Sequence, residues 1–155
     1  DLHSFPTRRS SDLEPAGVVA MMFGGGDFAA ELGVELAWEP LLAARGAFIL
    51  AAAGAGIAAI DVPFIALDDA EGLVAETRAA KRLGFSAKAA IHPAQVPAIN
   101  AALRPTAQEI AEAEEAAEVF AAARGAAVRF KGRMLEAPIM RRYQRILAMR
   151  SKNHA

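Results

Sequence analysis

Two aspartates stand where an apolar run hands over to a helical pattern. Asp27 follows the apolar run 17–23 and three consecutive glycines, Gly24, Gly25 and Gly26. Asp61 closes the run 57–60. In parallel α/β proteins ligands gather at the C-terminal ends of strands, so a carboxylate there can hold a metal ion or a polar substrate. Glycines beside it let the ligand approach the backbone. A hard cation such as Mg²⁺ suits such a place, because it binds through one or two carboxylates and fills the rest of its shell with substrate and water. Asp27 is therefore assigned to metal, and Gly25, Gly26 and Asp61 to substrate. The same aspartates also read as plain turn or cap residues, a carboxylate being favoured by the dipole at a helix start. His92, after a third apolar run and before Pro93, is a candidate base or a hydrogen-bonded structural residue. Lys88, inside that run, is an interior charge or a packed side chain with its ammonium group at the surface. Arg141, Arg142 and Arg145 read as a solvated face.

Composition narrows the chemistry. The 155 residues carry a formal net charge of −1, so the basic footprint of a nucleic-acid binder is missing. There is no cysteine, which removes disulfides, thiolate nucleophiles and cysteine-based metal sites. The three histidines, His3, His92 and His154, are too scattered for a multi-histidine zinc site. Hydrophobic residues make up 54%, enough for a sizeable core. The most apolar stretch, 46–60, is shorter than the ~20 residues of a membrane span. These features point to a protein of the cytoplasm without a membrane or nucleic-acid partner. Residues 1–13 lack apolar periodicity and resemble a translated sequencing adapter. They read as a non-native leader, with a presequence rich in Arg and Ser as the competing reading.

The elements that must position these residues alternate. Run 17–23 reads as a buried strand, and 27–36 as a short helix. Pro40 opens a second helix that ends near Ala53. Residues 57–61 form the next strand, Asp68 and Asp69 cap a helix over 70–83, and Gly84 stops it. Residues 86–91 make a third strand, and a helix follows His92 and Pro93. Strands alternating with helices predict parallel βα units. From Thr106 the pattern changes. Thr106 and Glu109 fit a capping box, the helix runs to Ala123 with an acidic face, 126–130 is a short strand, and Met134–Met149 is a final helix. Its apolar face carries Ile139, Met140, Tyr143, Ile146 and Leu147.

Together, GGGDF at 24–28, residues 41–45 and 58–63, GFSxKxxIHPxQ at 84–95, and Met134-Leu135-Glu136-Ala137-Pro138 resemble the citrate lyase β-chain/acyl-CoA lyase family of the HpcH/HpaI aldolase group. They occur in that family's order. The resemblance implies a (β/α)₈ TIM barrel. Residues 14–104 would supply about its last three βα units, and 105–155 a helical C-terminal extension. It implies Mg²⁺-dependent making or breaking of a carbon–carbon bond in a hydroxyacyl-CoA thioester of the citryl, malyl or citramalyl type. Asp27 matches a metal-binding carboxylate. Its partner glutamate and a substrate-gripping arginine belong to the part of the barrel before these residues, which leaves this segment inactive alone. Glu136 matches a general acid/base, more often Asp, that the extension delivers to a neighbouring subunit. A homo-oligomer, dimer, trimer or hexamer, follows from that swap. A malyl-CoA thioesterase, a keto-acid aldolase of the same group, and a non-catalytic barrel scaffold are the alternatives.

Overall fold

The structure is a computed structural model that describes residues 17–151. The leader 1–13 lies outside the described residues. The chain divides after Leu103 into two compact units.

The first unit is built from βα repeats. Strand β1 (Ala20–Met22) leads into helix α1 (Gly25–Leu32), helix α2 (Leu42–Gly54) returns to β2 (Ala58–Asp61), α3 (Ala70–Leu83) to β3 (Ala87–Lys88), and α4 (Gln95–Leu103) follows. The three strands form one parallel sheet in the order β1-β2-β3. This is the expected α/β architecture with parallel units. Among the described residues the sheet is open, not a closed barrel.

Local chemistry fixes the helix ends. The Asp69 carboxylate accepts a hydrogen bond from the Gly72 N–H at 2.8 Å, satisfying a free donor of the first turn of α3. Gly84, with φ of 122°, ends the helix in a conformation that side chains disfavour. Other boundaries move. Helix α1 begins at Gly25 and ends at Leu32, four residues before the expected end at 36, with Gly33 as its cap at φ of 66°. Helix α2 ends on Gly54 itself, one residue past the expected end near Ala53.

The pleat gives the sheet two unlike faces. Paired residues of parallel strands share a face, so Met21 and Ala59 lie on one side, and Asp61 and Lys88 continue it. The helices cover that side. Phe23, Leu41, Val62 and Phe85 are buried there, with Phe48 edge-on to Phe23 at 5.5 Å and stacked on Phe85 at 6.0 Å. Met22 belongs to the opposite face and is 58% exposed.

The second unit contains α5 (Ala107–Ala122), the antiparallel pair β4 (Val128–Phe130) and β5 (Arg133–Leu135), and α6 (Ala137–Ser151). The Thr106–Glu109 capping box is present, with reciprocal bonds of 3.1 and 2.8 Å. Ala113, Ala116, Phe130, Leu135, Met140, Tyr143 and Ile146 form a separate core. Here the expectation of a helix from Met134 is corrected. Lys131 and Gly132 both take positive φ, 46° and 80°, as a tight hairpin requires. Leu135 then pairs with Val128 and is buried, and α6 starts only at Ala137. Ile139, expected on the apolar face, is 43% exposed.

Candidate functional site

Gly25, Gly26 and Asp27 come together at the start of α1, beyond the C-terminal end of β1. The Phe23 N–H reaches the Ile60 carbonyl at 2.9 Å and holds the chain against β2. The glycines then divide the work. A Cβ on Gly25 would stand 3.0 Å from the Phe23 ring and 3.2 Å from Val62 Cβ, whereas one on Gly24 or Gly26 would meet nothing within 4 Å. The Gly25 N–H is already bonded to the Phe23 carbonyl at 2.9 Å. Gly25 is thus a packing position that seats the helix on the sheet, and Gly26 faces open space. The first intrahelical bond runs from the Phe28 N–H to the Gly24 carbonyl at 3.0 Å, which leaves the N–H groups of Gly26 and Asp27 without a carbonyl partner in the helix. Asp27 is exposed.

Asp61 has the same sequence setting and a different place. It is fully buried on the helix-covered face. Arg45 Nε donates to one carboxylate oxygen at 2.9 Å, and Lys88 Nζ to the other at 2.8 Å. Lys88 also bonds the Val62 carbonyl at 2.8 Å and Glu76 at 2.6 Å. The Arg45 guanidinium stacks on Trp38, 4.6 Å from its ring centroid, and lies 5.5 Å from that of Phe23. The assignment of Asp61 to substrate is therefore corrected. Strand parity sends its side chain under the helices, and two cations occupy its oxygens. Lys88 is the interior charge of the two readings offered for it. The sequence reasoning missed Arg45 as a site neighbour. Its signal was a single charge in the otherwise apolar run 41–53, which calls for a buried partner.

His92 is exposed, and its Nδ1 accepts the Ala94 N–H at 3.2 Å, a turn-forming contact rather than one of a poised base. Gln95, the closing residue of the 84–95 motif, is buried. It accepts the Ile91 N–H at 3.1 Å and donates to the Phe64 carbonyl at 2.8 Å, tying the loop after β2 to the start of α4. In the second unit Glu136 is exposed between β5 and α6, and its carbonyl accepts the Met140 N–H at 2.9 Å. In the same unit Tyr143 donates to Glu112 at 2.6 Å. Burial, and then the Glu112 hydrogen bond and charge, raise the Tyr143 pKa above its ordinary value.

A divalent cation fits the α1 turn as one ligand position. Asp27 offers an exposed hard oxygen beside an open glycine backbone, and the described residues hold no cluster of three or more metal-binding side chains. Among the described residues no helix is long and apolar enough to cross a membrane.

Comparison with known proteins gives these features a setting. The chain is 34% identical over 119 residues to the citrate lyase subunit beta of Leuconostoc mesenteroides subsp. cremoris, covering 75% of this chain and 39% of that protein. It is 32% identical over 135 residues to the mitochondrial citramalyl-CoA lyase of Rattus norvegicus, covering 84% of this chain and 40% of that protein. The chain thus spans about two fifths of the length of these relatives. Among solved structures, CitE from Mycobacterium tuberculosis, in complex with magnesium, acetoacetate and coenzyme A, matches with a TM-score of 0.75 and 30% identity, over 90% of this chain and 55% of that one. Residues 12–93, more than half of the chain, match the family described as HpcH/HpaI aldolase/citrate lyase, and the chain belongs to that family.

Proposed function

We propose that this chain forms part of a Mg²⁺-dependent lyase that makes or cleaves a carbon–carbon bond in a citryl-, malyl- or citramalyl-CoA type thioester. The observation that carries the reading is the α1 turn: an exposed carboxylate beside open glycine backbone, in a chain whose relative was solved with magnesium, a keto acid and coenzyme A. Asp27 would hold the metal. Mg²⁺, when bound, supplies Lewis-acid polarisation of a carbonyl oxygen. The unpaired N–H groups of Gly26 and Asp27, at the positive end of α1, bind and orient a substrate carboxylate. Glu136 moves the proton to or from the carbon that carries the new charge, the work of a positioned carboxylic acid. Its extra methylene relative to Asp shifts the carboxyl group by about 1 Å, a displacement that can cost about 100-fold. The swapped extension that brings Glu136 to a neighbouring copy, and with it a homo-oligomer, belong to this proposal, as does a cytoplasmic setting.

The test is a graft. Residues 17–151 replace the matching segment of the rat citramalyl-CoA lyase, and Mg²⁺-dependent release of acetyl-CoA is measured. Turnover that falls about 100-fold or more in D27N, with the fold intact by circular dichroism, supports the reading. A folded graft without turnover, or turnover unchanged by D27N, favours a non-catalytic barrel segment. Replacing Glu136 by Asp in the active graft is expected to raise kcat.

A further inference from the structure

Helix α1 carries the candidate metal ligand and has little of its own to hold it in place. It has eight residues, two of them glycine, and no side-chain bond caps its start. A helix this short is not stable in isolation. Of its residues only Gly25 and Ala29 are buried. The place of Asp27 is therefore set by what lies under the helix and at its two ends. Phe23 lies under the first turn. Its ring stands 3.0 Å from where a Cβ on Gly25 would be, and its centroid is 6.2 Å from that of Phe28. These contacts bracket Asp27, two residues before it and one after. Phe23 is in turn backed by Arg45, whose Cζ is 5.5 Å from the ring centroid. The same guanidinium reaches the chain that leaves α1. Its Nη1 donates to the Ala37 carbonyl at 3.4 Å, and the Trp38 ring centroid is 4.6 Å from Cζ. One side chain, 1% exposed, thus meets the segments before and after α1, and Asp61 fixes it through Nε.

Charge balance alone does not call for this side chain. A lysine would bring the same charge to Asp61, but as a point charge, with neither a flat face for two rings nor a donor fork. Stability does not call for it either, since a buried ion pair is often matched by well-packed apolar residues. We infer that Arg45 is a positioning residue for Asp27. It clamps the two flanks of α1, through Phe23 on one side and through Ala37 and Trp38 on the other, and so fixes where the metal-binding carboxylate stands. This inference rests on the assignment of Asp27 to metal in the lyase reading.

R45K keeps the charge and removes the clamp, and two readouts separate positioning from mere support. In the 155-residue chain, hydrogen exchange of the α1 amides is expected to rise about tenfold or more in R45K, while that of the α3 amides stays within about threefold. In the citramalyl-CoA lyase graft, R45K is expected to raise the Mg²⁺ concentration for half-maximal turnover about tenfold or more. A variant that only loses folded protein lowers kcat and leaves that concentration unmoved. W38L, at a half-buried position, loosens one flank and is expected to move both readouts the same way by about threefold. It keeps the test alive should R45K unfold. Equal loosening of α1 and α3 overturns the inference. So does an unchanged Mg²⁺ requirement in R45K and W38L, in an active graft that loses turnover in D27N. If D27N leaves turnover unchanged, or the graft has none, the lyase reading fails instead, and the exchange pattern alone decides whether Arg45 holds α1.

Discussion

The ends of β1 and β2 look alike in sequence and differ in kind. Each is an apolar strand that meets an aspartate. Asp27 stands in water past a run of glycines, whereas Asp61 has no exposed surface and answers to Arg45 and Lys88. The difference is one of parity and reach. Asp61 is still inside the pleat, so its face is dictated by Ala59 two residues earlier, which packs under the helices. Asp27 lies beyond the strand, in the first turn of a helix, where no pleat governs it. A strand-end carboxylate is thus available to a ligand when it has left the ladder or sits on the uncovered face, and is structural when it shares the face of the core.

The contrast is most sharply broken by neutralising each aspartate in turn. D61N removes the fully buried partner of the two cations, leaving them only the partly exposed Glu76, and is expected to cost about 3–5 kcal/mol, while D27N, exposed, is expected to stay within about 0.5 kcal/mol. Urea unfolding of the two variants measures this, and equal losses would erase the distinction. The glycines give the next effect. G25A drives a methyl group into Phe23 and Val62 and is expected to cost about 1–3 kcal/mol. G26A meets open space and is expected to gain up to about 1 kcal/mol from helix propensity, so the two variants should move the urea midpoint in opposite directions. The smallest effect concerns Tyr143. Its raised pKa stabilises the fold below the unfolded tyrosine pKa of about 10, and that contribution is lost as pH rises through the folded value. Tyrosinate absorbance should therefore appear later in the folded chain than in urea. E112Q should move it part of the way back, because burial remains the larger cause.

Much of this fold is legible where a local signal is self-sufficient. Asp69 and Gly84 mark α3, and Thr106 with Glu109 marks the start of α5, because caps depend on neighbours in sequence. The candidate turn at Asp27 is legible for the same reason. What escaped depends on partners far away. Strand β5 has three residues, too few to show alternation, and only its pairing with β4 separates it from the helix that follows. The role of Asp61 requires knowing that Lys88 lies beside it in register and that Arg45 descends from α2. Gln95 stands in a legible motif, but its structural role is hidden until the loop at Phe64 is placed beside it.

The four-charge cluster that includes Asp61 also bears on how this unit comes apart. Arg45, Asp61, Glu76 and Lys88 come from α2, β2, α3 and β3 in turn. If any one element peeled away, it would strand its neighbours' charges in an apolar interior, and a one-residue slip of β3 along β2 would turn Lys88 to the opposite face. Partial opening is thereby made nearly as costly as complete opening. The cluster couples four segments into one cooperative foldon, whose core amides should exchange with solvent together.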